Sequence, residues 1–262
     1  MRSSIPAFLE NLGAQVQPGA DALSVSMRVG VQRRRAEIPW SALDALSPIS
    51  DARSYAAEVA RGVFAVLNEP SNSKAETLSF LDTTPSILPS AIGPGFIEGV
   101  LLAGGTQPFV QPYVQGLELA YFVDLDEGQR LLPLSQVQGW GVHPERVEKA
   151  GLSILFHRSG HERWENHLID GVLVRRLAIG DGADGARGTL MEFFDWQKAQ
   201  SGRFFAAPSS DLLLFTDDLS DETLRVFRRV VEGAYAKHEL PLSSAIYRFI
   251  GGKLDPLPRT EG

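Results

Sequence analysis

The chain contains no cysteine. That single absence removes disulfides, thiolate metal sites and cysteine nucleophiles together. A long apolar run is also missing. The most apolar window, Ile92 to Gly105, is interrupted by Pro94, Glu98 and five glycines, and is too short and too broken to span a bilayer. The first residues, Met1 to Pro6, lack the apolar core of a signal peptide, so a cytoplasmic location is expected. Positive charge is in short supply: the net charge is -7 and the pI near 5.3. Such a surface repels phosphate, so no nucleic-acid partner is expected without a local basic patch. The run Arg33-Arg34-Arg35 is the one visible basic cluster, and it reads as the solvated turn of a hairpin.

Several catalytic signatures are missing too. No Gly-x-Ser-x-Gly elbow occurs, since Ser159-Gly160 and Ser201-Gly202 have no glycine two residues before the serine. Gly93-Pro94-Gly95 and Gly104-Gly105 do not make the Gly-x-Gly-x-x-Gly fingerprint of dinucleotide sites. No cofactor is implied.

What is present is ordinary globular composition over 262 residues, with 44% hydrophobic and 22% charged residues. Ser4 to Leu12 reads as a short helix, and Leu23-Val25-Met27-Val29-Val31 alternates as a strand whose partner is Ala36-Ile38. Asp51 to Leu67 carries apolar residues at helical spacing and is closed by Asn68-Glu69-Pro70. After a loose Ser/Pro/Gly-rich stretch, Phe109–Tyr113 and Leu117–Val123 flank Gln115-Gly116 as a hairpin, and a helix starts near Pro144. Arg203–Ala207 and Leu212–Thr216 are joined by turn formers, and Ser220 caps a helix with Asp221 and Glu222 in its first turn. A hairpin followed by a helix thus recurs around 23–67, 109–155 and 203–237. The expected fold is α+β, with antiparallel sheets from repeated hairpin–helix units and helices packed on one face. Residues 1–70 form an N-terminal helix–hairpin–helix region, 71–105 a Pro/Gly-rich connection and 106–262 the main α+β region, unless all three close into one domain.

This order of elements, with its local wording, resembles the YtpQ-like family of uncharacterised bacterial proteins over almost the whole chain. Asp181-Gly182-Ala183-Asp184-Gly185-Ala186-Arg187 is similar to that family's Asp-Gly-x-Asp-Ala-x-Arg stretch. Ala206 to Leu213 is similar to its Ala-x-Pro-x-x-Asp-x-Leu hairpin, and His238 to Ser243 to its helix-to-strand connection. The resemblance implies a fold and no activity.

Four places offer chemistry. Asp181 and Asp184 can ligate a hard cation with Arg187 as an anion clamp, and Asp211 adds a third carboxylate from the family-like hairpin. A metal-dependent hydrolase or transferase would use these residues. The plainer reading makes Asp184 a helix cap and Arg187 its neighbour's counter-charge. His157 and His161 have the i, i+4 spacing of a zinc pair, in a segment that puts His157, His161 and His167 within eleven residues. Gly160 between them favours a solvated loop. Asp217 and Asp218 precede a helix start, where negative charge is expected. Finally, Ile87, Leu88, Ile92, Phe96 and Ile97 lie in the weakly periodic 85–105 segment and are candidates for a surface that holds another protein, if they are not core. The expectation is therefore a cytosolic binding or accessory protein with a protein partner. The metal enzyme is the alternative.

Overall fold

The computed structural model describes residues 3–46, 51–70, 78–160, 164–191, 202–251 and 253–257. Its class is α+β, and the described strands form three antiparallel sheets. Backbone contacts divide the chain into two interleaved units. One gathers Met1–Leu88, Ile92–Gln111 and Ala120–Ile154; the other gathers Pro89–Ala91, Pro112–Leu119 and Leu155–Gly262.

The first unit opens with α1 (Ser4–Asn11), which buries Ile5, Phe8 and Leu9 as the apolar spacing requires. A three-stranded sheet follows, β1 (Gln15–Pro18), β2 (Ala22–Val29) and β3 (Gln32–Pro39), in the order β1-β2-β3. The β2–β3 hairpin turns at Gly30-Val31, where Gly30 takes φ +59. The arginines are therefore not the turn. Arg33, Arg34 and Arg35 lie inside β3 opposite Arg28, Met27 and Ser26, because glycine tolerates a positive φ and arginine does not. Short α2 (Trp40–Asp44) leads to α3 (Ala52–Leu67), whose N-terminus is capped by Asp51 accepting from the amides of Arg53 and Ser54 at 2.7 and 3.1 Å.

Residues 71–77 of the stretch that reads as loose in sequence lie outside the described residues, and the rest of it, 78–105, is built. It contains α4 (Phe80–Thr83), β4 (Ile87–Ile92) and α5 (Phe96–Leu102). Next come β5 (Val110–Val114), β6 (Leu117–Leu125) and β7 (Gly128–Leu131), giving a sheet of order β4-β6-β5 with β7 also on β6. Then α6 (Leu134–Gly139) and α7 (Pro144–Arg158) follow, with Pro144 at the helix start as its fixed φ favours. Gly95, Gly99 and Gly105 of the apolar window serve close packing. α5 crosses α3 so tightly that a Cβ on Gly99 would stand 2.1 Å from the Val59 carbonyl oxygen, and one on Gly62 would stand 2.1 Å from that of Phe96. Gly95, with φ +103, lies close against Tyr55.

The second unit contains a six-stranded sheet of order β13-β12-β10-β11-β9-β8. Its strands are β8 (Trp164–Ile169), β9 (Val172–Leu177), β10 (Arg203–Ser209), β11 (Leu212–Thr216), β12 (Tyr247–Ile250) and β13 (Lys253–Pro256). A 3-10 helix, Gly185–Leu190, lies in the connection from β9 to β10. α8 (Asp221–Lys237) covers one face of the sheet, packing Val226, Phe227 and Val231 on Val172, Val174, Phe204, Ala206 and Leu214. Ser220 caps α8 by accepting from the Thr223 amide at 3.2 Å, as the sequence implies. β8 begins inside the 157–167 segment expected to be a solvated loop and pairs with β9 as a hairpin. Its turn is Asp170-Gly171, with φ +48 and +81.

Two glycine substitutions are expected to act in opposite directions. Gly99→Ala forces α5 off α3 and should lower the free energy of unfolding in urea by about 1–3 kcal/mol. Gly233 lies inside α8, and a methyl placed there would meet no atom within 4 Å. Gly233→Ala should therefore raise the same quantity by about 0.5–1 kcal/mol.

Candidate functional site

The Gly/Asp segment gathers around an arginine. The Arg187 side chain is wholly buried and donates in three directions. Its Nη1 and Nη2 form a two-pronged pair with the Asp181 carboxylate, both at 2.7 Å. Nη1 also reaches Asp184 Oδ1 at 3.0 Å, and Nε donates to Ser159 Oγ at 2.9 Å. Asp184 Oδ2 accepts from the Gly180 amide at 2.9 Å, and Asp181 Oδ1 from the Ala183 amide at 3.2 Å. So Asp184 is not the side-chain cap of the 3-10 helix; it closes the Gly180 loop and holds the guanidinium. Fork-to-carboxylate geometry of this kind is the strongest form of the arginine pair.

The cluster carries two carboxylates on one buried cation, and its charge is settled unequally. Burial works against ionised Asp181, but hydrogen bonds from Arg187, its charge and the Ala183 amide outweigh that and hold its pKa below the ordinary value. Burial pushes Asp184 up to about 6 against the Gly180 amide and Arg187, and the neighbouring Asp181 charge adds to the rise. The position where a cation would bind is taken by the guanidinium. Among the described residues no group of three or more His, Asp or Glu side chains is arranged to hold a metal.

Asp211 does not join the cluster. It sits in the β10–β11 turn, where its amide donates to Ser209 Oγ at 3.3 Å. The turn meets the Asp/Gly loop through backbone, by the Gly185 amide donating to the Ser210 carbonyl at 2.8 Å. Asp217 is spent on Arg175 and Arg203, at 3.1 and 3.0 Å, with both guanidinium groups over the Phe215 ring. Asp218 accepts from Thr223 Oγ1 and the Ser220 amide and secures the start of α8. Of the histidines, His157 is in the last turn of α7, His161 lies outside the described residues, and His167 stands in β8 beside Glu165 at 3.2 Å.

The apolar surface offered by the 85–105 segment is interior. Ile87, Leu88, Ile92 and Phe96 are at most 2% exposed. Ile97 packs against the cluster of Ile92, Phe96, Val100, Ala120 and Leu131. The periodicity is weak because a buried strand and a helix follow each other there, and a buried strand is apolar on both faces.

Within the segment Leu101 is 49% exposed, and a facing pair of exposed apolar residues stands elsewhere. Leu168 in β8 is 76% exposed, and Leu173, directly opposite in β9, is 45% exposed. Among the described strands β8 pairs with β9 alone and lies at the edge of the sheet. Glu165 accepts from Arg176 at 2.8 Å in this hairpin, and hydrogen bonds from His167 and Arg176 lower its pKa. Sequence reading missed the hairpin, although Asp-Gly between Leu168-Ile169 and Val172-Leu173-Val174 is the strongest short-range hairpin signal. The dense His/Glu/Arg composition drew attention to metal chemistry instead.

No family model matches the chain, and no curated protein or solved structure matches it.

Two measurements probe the Arg187 cluster. Arg187→Met leaves Asp181 and Asp184 without their cation and should cost about 3–5 kcal/mol of unfolding free energy at neutral pH. Asp184 has a raised folded pKa, so folding takes up a proton between the unfolded value, about 4, and about 6. Its contribution to stability is then largest below that window and falls as pH rises through it. Relative to Asp184→Asn, the wild-type chain should lose stability in urea titrations between pH 4 and 6 and run parallel above it.

Proposed function

We propose that the chain is a protein-binding, accessory protein and that it works by strand addition at the edge of β8. The observation that supports this best is the exposed Trp164–Ile169 edge with its outward Leu168–Leu173 pair. A sheet edge is a ready template for another strand, and proteins usually blunt it. The opposite edge is blunted: β13 carries Lys253 and ends on Pro256. β8 contains neither lysine nor proline.

The side chains of β8 specify an occupant, and a second copy of β8 fits. In the antiparallel register centred on Asn166, Trp164 faces Leu168 of the second copy. Glu165 faces the second copy's His167, and Asn166 faces itself. Apolar residues then meet apolar ones and acid meets base, the cross-strand pairs that each add about 0.2–1 kcal/mol. A register centred one residue further would set His167 against its own copy. Leu168 of each copy would gain Trp164 of the other as a cross-strand neighbour in one symmetric contact.

A cytoplasmic site of action and membership of the YtpQ-like family belong to the same proposal. The lack of cysteine and the Asp181–Arg187, Ala206–Leu213 and His238–Ser243 segments support them. A catalytic reading built on Asp181, Asp184 and Asp211 draws no support from the geometry, since Arg187 consumes two of these carboxylates and the third is a turn residue.

Sedimentation velocity over a micromolar concentration series should give a reversible dimer. Asn166→Pro removes a β8 amide and should leave only monomer. Leu168→Asp should weaken the dimer at least tenfold. Val31→Asp, at another exposed apolar position, should leave it intact. A wild-type chain that stays monomeric throughout the series sinks the proposal.

A further inference from the structure

Arg130 is a buried cation without a counter-ion among the described residues. It stands in β7, opposite Val123 of β6, and is 6% exposed. Its Nη2 donates to Gln136 Oε1 at 2.6 Å, and its Nη1 has no hydrogen-bond partner there. The other buried arginines are treated differently: Arg187 has Asp181 and Asp184, and Arg203 has Asp217. Burying a guanidinium against one neutral amide is costly unless something else supplies the negative charge.

Arg130 lines two cavities of the first unit that share Thr106, Arg130 and Pro133. The larger is an open cleft of about 740 Å³, within the size range of small-molecule sites. Its polar wall is made by Ser79, Ser135 and Gln136. Its apolar wall is Phe80 and Trp140, whose rings lie 5.6 Å apart and tilted. Trp140 is fixed there by its Nε1 donating to the Leu78 carbonyl at 2.9 Å. Arg146 stacks over the Phe80 ring at 5.3 Å. The smaller cavity, about 210 Å³, adds Arg34 and Glu69. Convergent polar groups beside a firm aromatic wall and a positive charge without a counter-ion among the described residues are the features of a site for an anion with an apolar body.

We propose that this cleft binds a small carboxylic acid with an aromatic or aliphatic body, the carboxylate on Arg130 and the body against Phe80 and Trp140. A carboxylate suits the donor set better than a phosphate does. It carries one charge to match one guanidinium, and its two oxygens match the planar fork. A doubly charged phosphate would lack a second cation in the larger cleft, whose lining contains no other Lys or Arg among the described residues. Gln136 holds the guanidinium by Nη2, and Nη1 is left for the ligand after a small side-chain shift. The proposal is independent of β8, which belongs to the other unit.

Benzoate is the probe, followed by nuclear magnetic resonance at the Trp140 indole N–H, assigned from its loss in Trp140→Phe. The wild-type chain should show a saturable shift with benzoate. Benzyl alcohol, which has the ring without the charge, should bind roughly tenfold or more weakly, as loss of a charge-assisted hydrogen bond implies. Arg130→Met should weaken benzoate by a similar factor and leave benzyl alcohol unchanged, while Arg225→Met, at an exposed position outside the cleft, should change neither. If Arg130→Met does not fold, Arg130→Lys decides: it keeps the charge without the fork and should weaken benzoate several-fold only. No saturable shift in the folded wild type overturns the proposal. So does equal benzoate binding by a folded Arg130 variant, or a preference for inorganic phosphate over benzoate.

Discussion

Arg187 holds together segments that are not adjacent in sequence. Ser159 comes from just past α7, Asp181 and Ala183 from the loop after β9, Asp184 from the start of the 3-10 helix, and Gly180 is drawn in through Asp184. A buried guanidinium tolerates very little error in these positions, because each unmade bond leaves a desolvated donor. The loop therefore has one low-energy arrangement. Its glycines take the left-handed backbone at Gly180 and Gly182, with φ +78 and +76, so that both carboxylates turn toward one centre. The packing beyond depends on it: Gly185 sits so close that a Cβ there would stand 3.1 Å from the Ser209 carbonyl oxygen, and Gly188 lies against Tyr113 and Phe205. The rest of the second unit's sheet is assembled around a loop that an ion cluster has shaped.

That cluster explains both what sequence could and could not say about it. Asp, Asp and Arg within seven residues of a Gly-rich segment are the ingredients of a cation site and equally of an internal salt bridge. Spacing does not separate the two, since the deciding fact is whether Arg187 points inward or away. Burial answers that, and burial is set by Ser159 and by β10 and β11, which lie far along the chain. The plainer reading paired Arg187 with a neighbouring carboxylate, as it is, and gave Asp184 the wrong job, since its side chain goes to Gly180 and Arg187 rather than to a helix cap.

Elsewhere legibility followed the strength of local periodicity. The helices at 52–67 and 221–237 were readable because their apolar stripes and capping residues agree, and the one at 4–11 from its apolar stripe alone. The Pro85 to Gly105 segment was not, because its information is tertiary: Gly62 and Gly99 are small so that two helix backbones can touch. A glycine reads locally as flexibility, and only the partner helix reveals it as contact surface. The arginine run misled for a related reason. Three charges suggested a turn, while the residue that actually turns the hairpin is Gly30, three positions earlier. At 164–177 the signal was present in Asp170-Gly171 and was outweighed by an unusual histidine content.

The three arginines buried among the described residues give an internal comparison. Arg187 is matched by two carboxylates and Arg203 by one, shared with Arg175 over an aromatic ring. Both lie in the second unit, and both have structural partners close in space. Arg130 in the first unit has an amide oxygen and a cleft. The same physical demand, that a desolvated guanidinium be given negative charge, is met from within the chain in two cases and points outside it in the third. Composition could not have distinguished them, because all three are arginines in or beside apolar strands. What distinguishes them is that no described Asp or Glu forms an ion pair with Arg130. In a chain with 32 acidic residues against 25 basic ones, carboxylates are plentiful, and the lack of one beside Arg130 among the described residues is what makes the cleft the place to look for a ligand.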